Sequence, residues 1–283
     1  MKPPAADIHR AVKAALAEDI GDGDATTVAI VPEAATARAV MRTREPLVVA
    51  GLDFAEAAFR EMSDRVTVDR AVEDGRHADS DAVLLTVAGP ARAILAAERV
   101  AINFIQRLSG VATLTSHFVD AVKGTPACIL DTRKTTPGWR AFEKYAVTCG
   151  GGRNHRFGLY DMILIKDNHL AVLRDESPNA VAAAVSRARA RFPALKIEVE
   201  ADSLDQVEQA AAAGADVILL DNMNPVQLRL AVNKAKGHSR TEASGGINTG
   251  NVKAIAETGV DFISIGAITH SARAMDIGLD FDE

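Results

Sequence analysis

Apolar positions along the chain fall into two textures. Up to about residue 122 they recur at helical or alternating spacing, and from residue 126 they come as short solid runs. Ile8, Val12, Ala15 and Leu16 lie three or four apart, which predicts a surface helix over 7–19 with Asp7 as its N-cap. GDGDATT (21–27) reads as a loop, with Thr26-Thr27 opening a β-branched run. Extended segments are predicted near 35–43 and 46–50, a helix over 53–63, and strands near 65–72 and 81–88. The stretch ARAILAAERVAINFIQRL (91–108) has a helical pattern, predicted to break at Ser109-Gly110 and to resume to about Val122. Strands gathered around one helix imply an α+β domain, with the long helix linking it to a second domain.

The second texture alternates strands with helices. ACILD (127–131), MILIK (162–166), KIEVE (196–200), DVILLD (216–221), TEAS (241–244) and DFISIG (261–266) start 20 to 35 residues apart, the spacing of strand, crossover helix, strand in a parallel sheet. Six such units are two short of a (β/α)8 barrel, so the expected fold is α/β with an open, incomplete barrel. The expected domains are 1–109, with 270–283 packing back on it, and a barrel over 110–269.

Composition narrows the function. The chain has 283 residues, 48% of them hydrophobic and 25% charged, which is ample for a large soluble core. A net charge of −6 argues against general nucleic-acid binding. No run of about 18 apolar residues occurs and the N-terminus has no apolar signal region, so neither a membrane nor export is expected. The two cysteines make no disulfide framework, which fits a reducing cytoplasm. Cys149 is read as structural, for lack of an acid/base partner at a telling spacing.

Against this acidic background, residues 129–168 form a basic island. Arg133, Lys134, Arg140, Lys144, Arg153, Arg156 and Lys166 outnumber Asp131, Glu143, Asp161 and Asp167 by seven to four. In parallel barrels the active site lies at the C-terminal strand ends. There the sequence puts Asp131, Arg133 and Lys134 after the first barrel strand and Lys166 after the second. Glu198 and Glu200 end the third, Asp221 the fourth, Ser244-Gly245-Gly246 the fifth and Gly266 the last. The last two loops suit a phosphate, with helices expected after Asn248-Thr249 and at Ser271. Glu200 and Asp221 on adjacent strands suit Mg²⁺ held together with substrate phosphate oxygens. The cations Arg133, Lys134, His155, Arg156 and Lys166 suit a small ligand with more than one carboxylate. His155 alone reads equally as a core histidine, Arg99 alone as solvent-facing, and Trp139 with Phe142 as packing.

These residues carry a family resemblance. DTRKTTPGWR, EKYAVTCGGGRNHRFGLYDMILIKDNH, IEVE, ILLDN, EASGGI and GVDFISIGAITHS, with ERVAINFIQRLSGVATLT and AEDIGDGDATT upstream, resemble the quinolinate phosphoribosyltransferases of NAD synthesis. The resemblance implies an N-terminal α/β sandwich and a six-stranded open α/β barrel. It also implies a homodimer with shared active sites, and transfer of phosphoribosyl from phosphoribosyl pyrophosphate to quinolinate with decarboxylation. By the same resemblance Arg99, Arg133, Lys134, His155, Arg156 and Lys166 bind quinolinate or line its pocket, and Arg44 comes from the neighbouring subunit. Glu200 and Asp221 face ribose and Mg²⁺-pyrophosphate, and with Lys134 and Lys166 they are the catalytic set. Ser244, Gly245, Gly246 and Gly266 surround the 5-phosphate. Rival readings are a paralogue of this fold acting on another aromatic acid and a silent phosphosugar sensor. The first should have an eroded cation set, and the second has no need of one. A Rossmann dehydrogenase is a weaker reading still, because no GxGxxG follows any predicted strand.

Overall fold

The structure is a computed structural model that describes residues 2–281. The chain forms two compact units: one holds residues up to Ser116, Thr136–Gly151 and the C-terminal segment from Ser271, and the other holds His117–Thr135 and Gly152–His270.

The first unit opens with α1 (Ala5–Ile20), which buries Ile8, Val12 and Leu16 as the spacing predicts. Its N-cap is Pro4 rather than Asp7, and Asp7 sits in the first turn, where a carboxylate favours the helix dipole. The predicted loop at GDGDATT is half helix. Asp24 accepts from the Thr27 N–H at 2.9 Å and starts α2 (Ala25–Ile30), so a cap overrides the β-branched threonines. Then come β1 (Thr36–Thr43), β2 (Leu47–Val48), α3 (Leu52–Met62), β3 (Thr67–Arg70), β4 (His77–Ala78), β5 (Val83–Pro90) and α4 (Ala91–Ala121).

α4 does not break at Ser109-Gly110. Gly110 is there for a different reason: the C-terminal segment crosses the helix so closely that a Cβ would lie 1.9 Å from the Arg273 carbonyl oxygen. The sheet runs β12–β1–β5–β3, where β12 (Ile277–Phe281) pairs antiparallel with β1 from Thr43↔Ile277 to Ala39↔Phe281. Met41, Phe54, Phe59, Leu84, Leu85, Ile94, Ile105 and Leu108 are buried and make the core of this unit.

Residues 136–151, assigned to the barrel by sequence, pack in this first unit. They carry α5 (Arg140–Cys149), and Trp139 and Phe142 join Phe104 and Phe54 in a cluster of rings with centroids 4.8–5.9 Å apart. Glu143 is fully buried in this unit. It accepts from Arg107 and the Thr136 hydroxyl, both at 2.8 Å, and from the Thr136 N–H at 3.0 Å. Cys149 is a free thiol pushed up to about 12 by burial first and Asp74 second, too high for a nucleophile at neutral pH.

The second unit carries six parallel strands: β6 (Cys128–Leu130), β7 (Ile163–Ile165), β8 (Ile197–Ala201), β9 (Val217–Asp221), β10 (Arg240–Ser244) and β11 (Phe262–Ser264). Their order is β6–β11–β10–β9–β8–β7, so β6 and β7 are the two ends and the barrel stays open between them. Between strands lie α6 (Asp167–Val172), α7 (Ala180–Arg191), α8 (Leu204–Ala212), α9 (Pro225–Ala235) and α10 (Val252–Ala256). β8 and β9 are buried almost throughout, the reason their sequences read as solid runs. The helix expected at Ser271 is instead α11 (Ala267–His270), which starts directly after Gly266. Among the described residues no helix is long and apolar enough to cross a membrane.

Candidate active site

A cavity of about 700 Å³ lies in the barrel unit at the C-terminal ends of the strands. Arg133 and Lys134 reach it from the loop after β6, His155 and Arg156 from the loop before β7, and Lys166 from the end of β7. Opposite come Glu200 from β8, Asp221 from β9 and Ser244, Gly245 and Gly246 from β10. The cations thus come from the two ends of the strand order, and the acids and the phosphate-type loop from the strands between them. The lining comes from the barrel alone, whereas Arg44 and Arg99 belong to the first unit. Arg99 is exposed on α4, and Arg44 pairs with Asp280 at 2.5 Å. Gly266 does not line the cavity; it packs against the Lys134 side chain, with a would-be Cβ 3.0 Å from Lys134 Cδ.

The loop after Gly152 is anchored by Asp131, whose buried carboxylate accepts from Asn154 Nδ2 at 2.7 Å and the His155 N–H at 2.9 Å. Asp131 is therefore a fastener of the NHR segment. His155 points inward: its Nε2 is 3.0 Å from Glu198 and 3.5 Å from Glu242. Both acids are buried, at 0% and 2% exposure. Burial works against a charged His155, but the hydrogen bonds and charges of the two acids outweigh it and raise its pKa well above the ordinary value. Burial and then the like charge of Glu242 push Glu198 upward. The charged form of His155 is therefore favoured between the two acids, and its positive charge offsets theirs beneath the cavity.

Ligand atoms of His155, Glu198 and Glu242 lie within 4.8 Å of one another, close enough to surround a cation. The proton on Nε2, held between the two acids, opposes that use, because it occupies the lone pair a metal would need; Nδ1 lies 2.7 Å from the Arg156 backbone nitrogen. Arg156 has its pKa lowered by burial first and by the like charge of Arg133 second. Two guanidiniums crowded in this way favour an anion between them.

On the acidic side, Glu200 accepts from Lys166 Nζ at 2.6 Å. Asp221 accepts from Asn222 Nδ2 at 2.8 Å. Asn222 has a left-handed backbone, φ 54°, and its N–H donates to the Ser244 carbonyl at 2.9 Å, tying the β9 end to the Ser-Gly-Gly turn. Gly245 is the partner of this arrangement, since a Cβ on it would meet Asn222 Oδ1 at 2.1 Å. Glu242, Asn222 and Thr269 were not singled out from sequence. Glu242 had one signal, its place two residues before Ser244 on an alternating strand; the others had none.

Comparison with known proteins agrees with this picture. Residues 111–280 match the family described as quinolinate phosphoribosyl transferase, C-terminal domain, and residues 24–109 match its N-terminal domain. The nicotinate-nucleotide pyrophosphorylase [carboxylating] of Mycobacterium leprae is 46% identical over 275 residues, 95% of each chain. The probable enzyme of that name in Bacillus subtilis is 42% identical over 264 residues, 93% of this chain and 89% of that one. The solved nicotinate-nucleotide pyrophosphorylase of Francisella tularensis superposes with a TM-score of 0.93 at 40% identity, covering 99% of this chain and 98% of the other. Matched in both domains and near-continuously to these relatives, the chain belongs to the quinolinate phosphoribosyl transferase family.

Proposed function

We propose that the protein transfers the phosphoribosyl group of phosphoribosyl pyrophosphate to quinolinate with loss of CO₂. The products are nicotinate mononucleotide and pyrophosphate, a step of NAD synthesis. Besides family membership, the observation that carries this reading is a single cavity uniting five basic side chains, the carboxylates of Glu200, Asp221 and Glu242, and a Ser-Gly-Gly turn.

Quinolinate is a dianion, and Arg133, Lys134, His155, Arg156 and Lys166 hold its carboxylates so that the ring nitrogen faces C1 of the ribose. The Ser244-Gly245-Gly246 turn takes the 5-phosphate, and a share for the Gly266 turn rests on the family resemblance, since Gly266 lies behind the Lys134 side chain and not on the cavity wall. Glu200 and Asp221 face the ribose and stabilise the positive charge that develops at C1 as pyrophosphate leaves. The Lys134 and Lys166 ammonium groups counter the charge growing on pyrophosphate. Once the ring nitrogen is quaternised, the bond from the adjacent carbon to its carboxylate breaks. The electron pair is drawn towards that nitrogen, CO₂ departs, and a proton takes its place on carbon, so no covalent nucleophile is required.

Mg²⁺ fits the donor chemistry of this rim, because Glu200 and Asp221 offer hard oxygens on neighbouring strands and the ion accepts one or two carboxylates plus substrate phosphates. When bound, it supplies Lewis-acid neutralisation of the pyrophosphate. Roles for Arg99 and for Arg44 of the partner subunit, in a homodimer working in the cytoplasm, rest on the family resemblance and not on the cavity.

The test is to mix purified protein with quinolinate, phosphoribosyl pyrophosphate and Mg²⁺ and to monitor CO₂ and nicotinate mononucleotide, with nicotinic acid as a control substrate. Product from quinolinate and none from nicotinic acid is expected. No product, with another aromatic acid consumed instead, overturns the reading.

A further inference from the structure

The backbone of Lys134 is fastened from a helix 135 residues away. Thr269, fully buried on α11, donates from Oγ1 to the Lys134 carbonyl at 2.7 Å. The same hydroxyl lies 3.1 Å from the carbonyl of Gly266, one turn back in its own helix. It has one proton and bonds one of these carbonyls at a time. The side chain of Lys134 then runs across Gly266. A Cβ there would sit 3.0 Å from Lys134 Cδ and 3.2 Å from the His270 ring, so the missing side chain is the slot in which these two meet. The interlock is possible because β6 and β11 are neighbours, with Leu130 opposite Ser264, and both loops leave the same edge of the sheet.

We propose that Thr269 is a positioning residue that couples the Gly266 turn to Lys134 on the cavity wall: through it, occupation of that turn sets Lys134, and sugar phosphate and quinolinate tighten each other's binding. This rests on the functional reading above, which gives the Gly266 turn the 5-phosphate and Lys134 a quinolinate carboxylate. The hydroxyl has two acceptors and therefore two arrangements, one bridging the loops and one turned back on its helix. A ligand held at either end favours the bridged form, and the coupling is reciprocal by necessity.

The experiment measures quinolinate affinity by calorimetry with and without saturating ribose 5-phosphate, a probe that carries the phosphate and has no leaving group. In the native protein quinolinate should bind roughly fivefold or more tighter when the sugar phosphate is present. Thr269→Val, which removes the hydroxyl and keeps the volume, should bring that ratio close to one, and Thr269→Ser should restore it. Thermal melts check that the variants are folded. Should the valine variant fail to fold, Gly266→Ala keeps the hydroxyl but displaces the Lys134 stem, and it too should lose the coupling. An undiminished ratio in either folded variant, or no coupling in the native protein, overturns the proposal. If the native protein turns quinolinate over yet shows no coupling, this inference alone fails; if it neither binds nor turns over quinolinate, the functional reading fails with it.

Discussion

Gly245 has φ +93°, and alanine at that position would put its Cβ 2.1 Å from Asn222 Oδ1, 2.7 Å from Cγ and 3.1 Å from the Asn222 nitrogen. The left-handed backbone costs a residue with a Cβ about 1–2 kcal/mol. The Asn222 amide must also turn away, giving up its 2.8 Å bond to Asp221 at a further cost of ~1 kcal/mol. The total of roughly 2–3 kcal/mol leaves a folded protein, since domains have about 5–15 kcal/mol to lose. The melting temperature should fall by several degrees, at about 2–4 °C per kcal/mol for a unit of this size. The functional part of the damage falls on Asp221 and the phosphate turn. The KM for phosphoribosyl pyrophosphate should therefore rise about tenfold or more, as ~1.4 kcal/mol is a factor of ten, while that for quinolinate changes little. Steady-state kinetics with each substrate varied in turn, beside thermal melts, gives both readouts. Adding Asn222→Gly removes the clash and should recover part of the lost melting temperature without recovering the KM, a non-additivity expected of touching residues. An unchanged KM for phosphoribosyl pyrophosphate in Gly245→Ala, or a rise confined to quinolinate, would refute the reasoning.

Other groups carry their own expected outcomes. Arg133→Ala should lower kcat/KM by about a hundredfold or more with the melting temperature within a few degrees, because it removes a charge-assisted carboxylate contact; near-normal turnover contradicts its assignment. Glu143→Ala leaves Arg107 and the Thr136 N–H without their buried acceptor and should cost ~3–5 kcal/mol in urea unfolding, whereas a loss under about 1 kcal/mol would show the carboxylate dispensable. Glu45 is held at about 2, below its ordinary value, by the hydrogen bond from Arg273 first and by the Asp276 N–H second. A depressed carboxyl contributes stability that is complete above its unfolded pKa near 4.5 and lost as pH falls towards 2. Since Glu45 is largely solvated the contribution is small, under ~1 kcal/mol. Glu45→Gln should flatten that acid limb of the melting curve against pH, and an identical slope in both proteins would exclude Glu45 as a contributor.

The barrel strands could be placed from sequence because most of their positions are buried, β8 and β9 almost throughout, and an unbroken apolar run between polar loops is visible locally. The rim cations were legible for a related reason: residues just past such runs stand at strand ends whatever the rest of the chain does. Where the reading failed, the deciding group was remote. Thr26-Thr27 look extended, but an Asp24 cap two residues away turns them into a helix. Ser109-Gly110 look like a break, but the glycine exists to admit the Arg273 carbonyl, 163 residues on. The 136–151 segment comes after a barrel strand in sequence, yet its rings find their partners in Phe54 and Phe104 of the first unit.

The sequence by itself determined the alternation of strand and helix, the inventory of cations, acids and glycines, and their order around the rim, all of which depend on neighbours within a few residues. Only the tertiary structure decided which groups meet. The register of β8 and β10 puts Glu198 and Glu242 beneath His155, the left-handed turn at Asn222 aligns its amide with Asp221, and the adjacency of β6 and β11 brings Thr269 to Lys134. Hydrogen bonds reach about 3 Å, and contacts that close between residues far apart along the chain are set by strand order and register, which no local pattern encodes.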